Sequence, residues 1–309
     1  MVEGADARAA ATAAKQHGLL NTNQAVAAGL SATQIRRRIL TGRWERITIG
    51  VYRIRGAPTR PVQRAMAAVL ARPEGVISHL NAAELAGLRI TGPPVPWLTV
   101  PSTSSARSSV ARIHRTDLPD DQITTVDGVR TTAGARTLVD CSAVLGVHRL
   151  RNLVDEALHL RLATPAAVDA ILDANRDPRL LRRHDVLRDL VEVWRPVIRP
   201  GSPAEARLLR MLDEWGLPQP ERQIEVRDPD GVVIARLDGG WSDRRIGLEY
   251  DSVEWHGPAR WASDEARHAL VTALGWTLFH VDKSDIVPGA THLRDRLVAA
   301  FIPAPARAA

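Results

Sequence analysis

Four carboxylates in the last third of the chain fall where a single divalent cation could gather them: Glu205, Asp238, Glu249 and Asp251. His256 comes five residues after the last of them. Hard carboxylate oxygens hold Mg²⁺ or Mn²⁺, and such an ion lowers the pKa of a bound water and neutralises charge on phosphoryl oxygens. That is the chemistry of phosphodiester hydrolysis.

The elements expected to carry these residues can be read from local pattern. SPAEARLLRMLDEWG is a helix with Ser202 as N-cap, Pro203 at its first position and Gly216 as its stop. RQIEVRD and VVIARLD, joined by a Pro-Asp-Gly turn, form a hairpin with Asp238 expected at the end of its second strand. In RRIGLEYD, alternation puts Ile246, Leu248 and Tyr250 on one face and Gly247, Glu249 and Asp251 on the other. Ser263 is expected to cap a helix running to Gly275, WTLFHV to form a fourth strand, and HLRDRLVAAF to form the last helix.

This order, with Asp238, the Glu249-Tyr250-Asp251 triplet, His256, the Gly275-Trp276 pair and Asp285, resembles the PD-(D/E)XK nuclease superfamily, and within it the very-short-patch-repair-like branch. The resemblance covers about the last third of the chain. It implies Asp238 and Glu249 as ligands of Mg²⁺ or Mn²⁺, Glu205 supporting them, Glu205 or Asp251 orienting water, and His256 assisting. The sequence departs from the superfamily pattern at Asp251, where a lysine is usual, and at Ser252, where the branch has a glycine.

Each residue also has a plainer explanation. Glu205 stands three residues after Ser202, the spacing of a capping box. Asp238 precedes Gly239-Gly240 and could start a turn. His256, between Trp255 and Trp261, could be a histidine satisfied in an aromatic pocket, and Lys283 a solvated surface charge. Glu249 is hardest to dismiss, because an acid among Ile246, Leu248 and Tyr250 is costly to bury without a partner.

The chain has 309 residues and 45% hydrophobic content, enough for two or three domains with real cores. Its one cysteine, Cys141, excludes an intramolecular disulfide framework and a multi-thiolate zinc cluster, and fits a reducing cytoplasm. With no secretory leader pattern and no apolar run near 18 residues, the expectation is a cytoplasmic protein with no membrane association. The net charge of +6 is concentrated at the start: residues 1–60 hold ten Lys/Arg against three acids. The first residues are where an anionic polymer is expected to meet the chain.

There, Ala7–Gly18 and NTNQAVAAG read as helices, and Ser31 caps a third, ATQIRRRIL, with Ile35 and Ile39 facing inward. RWERI and VYRIR then read as a hairpin, which after a helix-turn-helix is a wing. The segment resembles the N-terminal winged helix of abortive-infection type IV antitoxin regulators, which implies promoter DNA as partner. Arg36, Arg37, Arg38 and Arg43 would then meet phosphates, and Gln34 a base edge.

The expected fold class is α+β multidomain: a winged helix-turn-helix over 1–56, an antitoxin-like α+β unit over 57–197, a restriction-endonuclease-like α/β domain of order α-β-β-β-α-β-α over 198–303, and a disordered tail over 304–309. The histidines of the middle unit, His79, His114, His148, His159 and His184, are expected to be structural. Two functions compete. One is a DNA-binding, metal-dependent endonuclease; the other is an antitoxin-like repressor retaining a non-catalytic nuclease fold. The second is favoured by the absent lysine and by 17 acidic against 14 basic residues from Ile198 onward. A hydrolase acting on RNA ranks last, for want of an aromatic stacking platform. A winged helix is compatible with a homodimer, and the two resemblances suggest a cognate toxin or a repair partner.

Overall fold

The computed structural model describes residues 4–175, 180–195, 202–250, 267–287 and 289–301. The chain divides into two compact units, Met1–Glu192 and Val193–Ala309.

The first unit opens with α1 (Ala5–Ala14), β1 (Leu19–Asn21), α2 (Thr22–Ala27), α3 (Ala32–Leu40), β2 (Trp44–Thr48) and β3 (Val51–Ile54). Asn21 and Ser31 cap α2 and α3, each in a reciprocal capping box with the glutamine three residues on, Gln24 and Gln34. Local sequence therefore sets both helix starts. The strands form an antiparallel sheet in the order β1-β3-β2. Ala9, Ala13, Leu20, Ala25, Leu30, Ile35, Trp44 and Tyr52 close its core. The predicted wing is present, whereas the three-residue strand β1 falls in a stretch expected to be the junction between two helices.

After it come α4 (Pro61–Ala71), β4 (Val76–Ile77), α5 (His79–Leu85), β5 (Trp97–Val100), β6 (Arg112–Arg115), β7 (Ile123–Val126) and β8 (Val129–Thr132), then α6 (Gly134–Ser142), α7 (Val147–His159), α8 (Pro165–Ala174) and α9 (Leu181–Glu192). The five strands make a mixed sheet in the order β6-β5-β4-β8-β7. The sequence puts a boundary at 56/57, but Leu19 and Val51 of the winged helix share one buried cluster with Ala65–Ala68 of α4, Ile77 and Leu98. The winged helix is thus fused to the five-stranded sheet through α4, which buries apolar side chains toward both.

The second unit contains α10 (Pro203–Glu214), β9 (Glu221–Arg227), β10 (Val233–Trp241), β11 (Ile246–Tyr250), a helix over 267–273 (α11), β12 (Thr277–Val281) and α12 (His292–Phe301). Its sheet runs β12-β11-β10-β9, with β11 and β12 parallel and the other pairs antiparallel. One face packs Ile246, Leu248, Phe279 and Val281 against Leu208 and Leu212 of α10 and Leu293 and Leu297 of α12. The other packs Val226, Ala235 and Leu237 against Val271 of α11. The predicted α-β-β-β-α-β-α order is therefore observed in the described residues, as helix, sheet and helix layers. β10 runs three residues past Asp238, because Gly239, Gly240 and Trp241 continue the ladder to β11. Gly240, at φ +150°, permits this: a Cβ there would lie 2.1 Å from the Ile246 carbonyl oxygen.

Candidate functional sites

In the winged helix, Ile35 is buried at 4% exposure and fixes the rotation of α3. That leaves Arg36 and Arg37 exposed on the helix, with Arg43 and Arg46 exposed on the connection and the first wing strand. Among the described residues these four arginines make no ion pair. Arg38 differs. Its Nε donates to Asp6 Oδ1 at 2.8 Å, its Nη1 to the Gln34 carbonyl at 2.7 Å, and its guanidinium lies 5.7 Å from the Trp44 ring centroid. Arg53 is spoken for as well, by Glu45 directly across the β2–β3 ladder. Gln34 is exposed, but its side-chain oxygen accepts the Ser31 backbone N–H at 2.8 Å. Of the five residues singled out in sequence, Arg36, Arg37 and Arg43 present charge on the surface without an ion-pair partner among the described residues; Arg38 and Gln34 hold the domain's own helices. Arg46, missed in sequence, joins the first group.

Three helices, a small sheet and a two-stranded wing, with a basic face on the third helix, define a winged helix-turn-helix domain. Residues 8–55 match the model of a family described as "Transcriptional regulator, AbiEi antitoxin". An uncharacterized protein of Mycobacterium tuberculosis, in strain CDC 1551/Oshkosh and in strain ATCC 25618/H37Rv, is 33% identical over 162 residues. That alignment takes in 52% of this chain and 58% of the relative, so the chain spans little more than half of the length of the curated relatives it matches.

In the second unit the carboxylates sort into two groups. Ser202 Oγ accepts the Glu205 backbone N–H at 3.1 Å, which sets the start of α10 and leaves the Glu205 carboxylate half-buried over the sheet. There it belongs with Arg222, Tyr250 and Asp238: burial first, then Glu205 and Asp238, push the Tyr250 phenol well above its ordinary value, with Arg222 opposing. Asp238 Oδ2 also accepts the Tyr250 backbone N–H at 2.9 Å, tying β10 to the end of β11.

Glu249 belongs to the other group. It shares the sheet face of Gly247, whose Cβ position abuts Leu237 and Leu278, and it is the register partner of His280 on β12. Its Oε1 accepts from Arg267 Nη1 at 2.8 Å, its Oε2 is 2.8 Å from His268 Nε2, and His280 Nδ1 is 3.9 Å from the same Oε2. Among the described residues, Glu249, His268 and His280 are the one set of three or more His, Cys, Asp or Glu side chains whose ligating atoms all lie within 4.8 Å of one another. Glu205 and Asp238 are not in it. Mg²⁺ takes a predominantly oxygen shell, and the set assembled here offers one carboxylate and two imidazoles. Taken alone, that set is not an all-oxygen shell of the kind Mg²⁺ prefers. Asp251 and His256 lie outside the described residues. Lys283 is exposed in the turn after β12.

The middle of the first unit holds a buried polar network where the sequence shows only scattered histidines. Ser78 Oγ lies 2.8 Å from His79 Nδ1 and accepts from Thr99 Oγ1 at 2.8 Å; His79 stacks on Trp97 with centroids 4.5 Å apart and meets His114 edge-on at 5.0 Å. Burial, reinforced by His114 and Arg136, lowers the His79 pKa to about 3. A neutral imidazole there serves the packing. No helix among the described residues is long and apolar enough to cross a membrane.

Proposed function

We propose that this protein is a DNA-binding transcriptional regulator of antitoxin type, which grips duplex DNA through α3 and the β2–β3 wing. The supporting observation is the set Arg36, Arg37, Arg43 and Arg46, exposed and without ion-pair partners among the described residues, on a domain whose residues 8–55 match a transcriptional-regulator family. A buried arginine pair would have been structural; exposed ones on a third helix suit phosphates. Leu40 at the end of α3 and Ile49 at the wing tip, 76% and 82% exposed, offer apolar contact beside them. A cognate toxin and a homodimer are compatible with this reading. The test is fluorescence anisotropy with the protein's own upstream region against a scrambled duplex, at graded salt. Preference for the upstream duplex supports the reading, and equal weak binding to both ends it.

A second reading is that the second unit cleaves DNA with Mg²⁺ or Mn²⁺. The order of its elements supports this, as does Asp238 lying against the end of the strand that carries Glu249. Against it stand the engagement of both Glu249 oxygens by Arg267 and His268 and the mixed donor set around Glu249 among the described residues. Nicking of supercoiled plasmid, compared among wild type, Glu249→Ala and Asp238→Ala, decides it. Loss in both variants supports catalysis, and equal traces in all three sink it.

A further inference from the structure

We propose that Glu249, His268 and His280 form a site for a borderline divalent transition-metal ion, with Zn²⁺ as the probe of choice. The site uses no residue of the DNA-gripping face, and its ion differs from the one that the all-oxygen cage of the cleavage reading would hold. Three elements meet to build it: β11 supplies Glu249, α11 supplies His268 and β12 supplies His280, with Glu249 and His280 set side by side by the parallel pairing of β11 with β12.

The distances suit such an ion. Zn²⁺ bonds to nitrogen and carboxylate oxygen of about 2.0–2.2 Å put the donors of a tetrahedral shell roughly 3.4 Å apart. Glu249 Oε2 stands 2.8 Å from His268 Nε2 and 3.9 Å from His280 Nδ1, one shorter and one longer than that spacing. Shifts of about half an ångström, within the reach of side-chain torsions, convert the present hydrogen-bonded arrangement into a coordinated one. The carboxylate is already oriented, since Arg267 holds Oε1 and so turns Oε2 toward the imidazoles. A hydrogen-bonded partner of this kind commonly fixes a ligand's direction.

Access is set by burial. Glu249 is 9% exposed, whereas the His268 and His280 side chains are 30% and 41% exposed, so an ion would enter from the imidazole side and keep water on its open positions. Two imidazoles and one carboxylate select Zn²⁺, Co²⁺ or Ni²⁺ over Mg²⁺ and Ca²⁺.

The full chain, stripped with chelator and dialysed, is titrated calorimetrically with Zn²⁺ and separately with Mg²⁺. The expected result is one Zn²⁺ per chain that excess Mg²⁺ does not displace, with affinity at least about tenfold weaker in both His268→Gln and His280→Gln. As a check that needs no variant, the wild-type chain is treated with diethyl pyrocarbonate and its peptides weighed. Zn²⁺ should protect His268 and His280 while leaving exposed His148 and His159 reactive. Absence of Zn²⁺ binding, unchanged affinity in both folded variants, or unchanged modification of His268 and His280 with Zn²⁺ bound elsewhere each overturns the proposal.

Discussion

Arg136 Nε donates to Asp140 Oδ1 at 2.9 Å, one turn apart on α6, with both side chains almost wholly out of water. The second guanidinium contact, Nη1 to Gln122 Oε1 at 3.2 Å, reaches the strip before β7, so the pair ties a helix to the sheet. Removing one partner strands the other charge. Arg136→Met should cost about 3–5 kcal/mol in chemical unfolding, and the double change Arg136→Met with Asp140→Leu should recover most of it. Additive losses in the double variant would refute this.

The same pair predicts a pH dependence. Burial outweighs Arg136 and raises the Asp140 pKa from 3.8 to about 6. A raised folded pKa means tighter proton binding in the folded state, so the stability it contributes is present below about pH 4 and lost as pH rises through about 6. Asp140→Asn should remove this falling contribution, leaving a stability that rises more steeply with pH across that window than in wild type. A slope unchanged between wild type and variant would show that Asp140 does not titrate there.

His79 acts with the opposite sign. Its pKa is lowered from 6.5 to about 3, so the folded state binds its proton less tightly. The corresponding stability is present above pH 6.5 and lost as pH falls toward 3. His79 also sits at φ +54°, a conformation that asparagine tolerates, which makes His79→Asn the informative change. That variant should be less stable at pH 7, by about 1–3 kcal/mol for the lost packing, yet lose less on acidification than wild type. Because the Asp140 and His79 windows overlap with opposing slopes, wild type should look flatter between about pH 4 and 6 than either variant. Thermal melting across that range and up to neutrality reads all three.

Gly240 shows why the end of β10 is hard to place from sequence. Asp-Gly-Gly is turn chemistry, and residue types alone stop the strand at Asp238. The strand continues because β9 and β11 pair with Gly239 and Gly240 from both sides, a tertiary fact with no local signature. Gly240→Ala should destabilise the second unit by about 2–4 kcal/mol, through the clash with the Ile246 carbonyl, and leave the unfolding of the first unit unmoved. Hydrogen exchange resolved by peptide mass reports the units separately.

What sequence did expose was local. The caps at Ser31 and Ser202, the wing hairpin, and the alternation that separates Leu248 from Glu249 all depend on neighbours within a few residues. What stayed hidden depends on distant ones. His268 and His280 carry no motif spacing with Glu249, and only the packing of α11 and the pairing of β12 beside β11 bring them to it. β1 is three residues long, too short for any period to show. The fusion of the winged helix to α4 rests on Leu19 and Val51, two apolar residues indistinguishable in sequence from those that stay within the small domain.

Arg37 and Arg38 are adjacent, identical in type and different in task. Arg37 is exposed on α3, whereas Arg38 is 13% exposed and bound to Asp6 from 32 residues earlier, with the Trp44 ring beneath it. Arg37→Ala should therefore weaken DNA binding across sequences and lower the slope of log affinity against log salt by about one, leaving the melting temperature where it was. Arg38→Ala should do the reverse. The exposed side of its ion pair limits that contribution to about 0.2–1 kcal/mol, and the contact with Trp44 adds about 0.5–1 kcal/mol, so a stability loss of about 1–2 kcal/mol is expected with the salt slope unchanged. If Arg38→Ala instead reduced the salt slope as Arg37→Ala does, Asp6 would have to release the guanidinium to phosphate on binding, and Asp6→Ala would then tighten the complex.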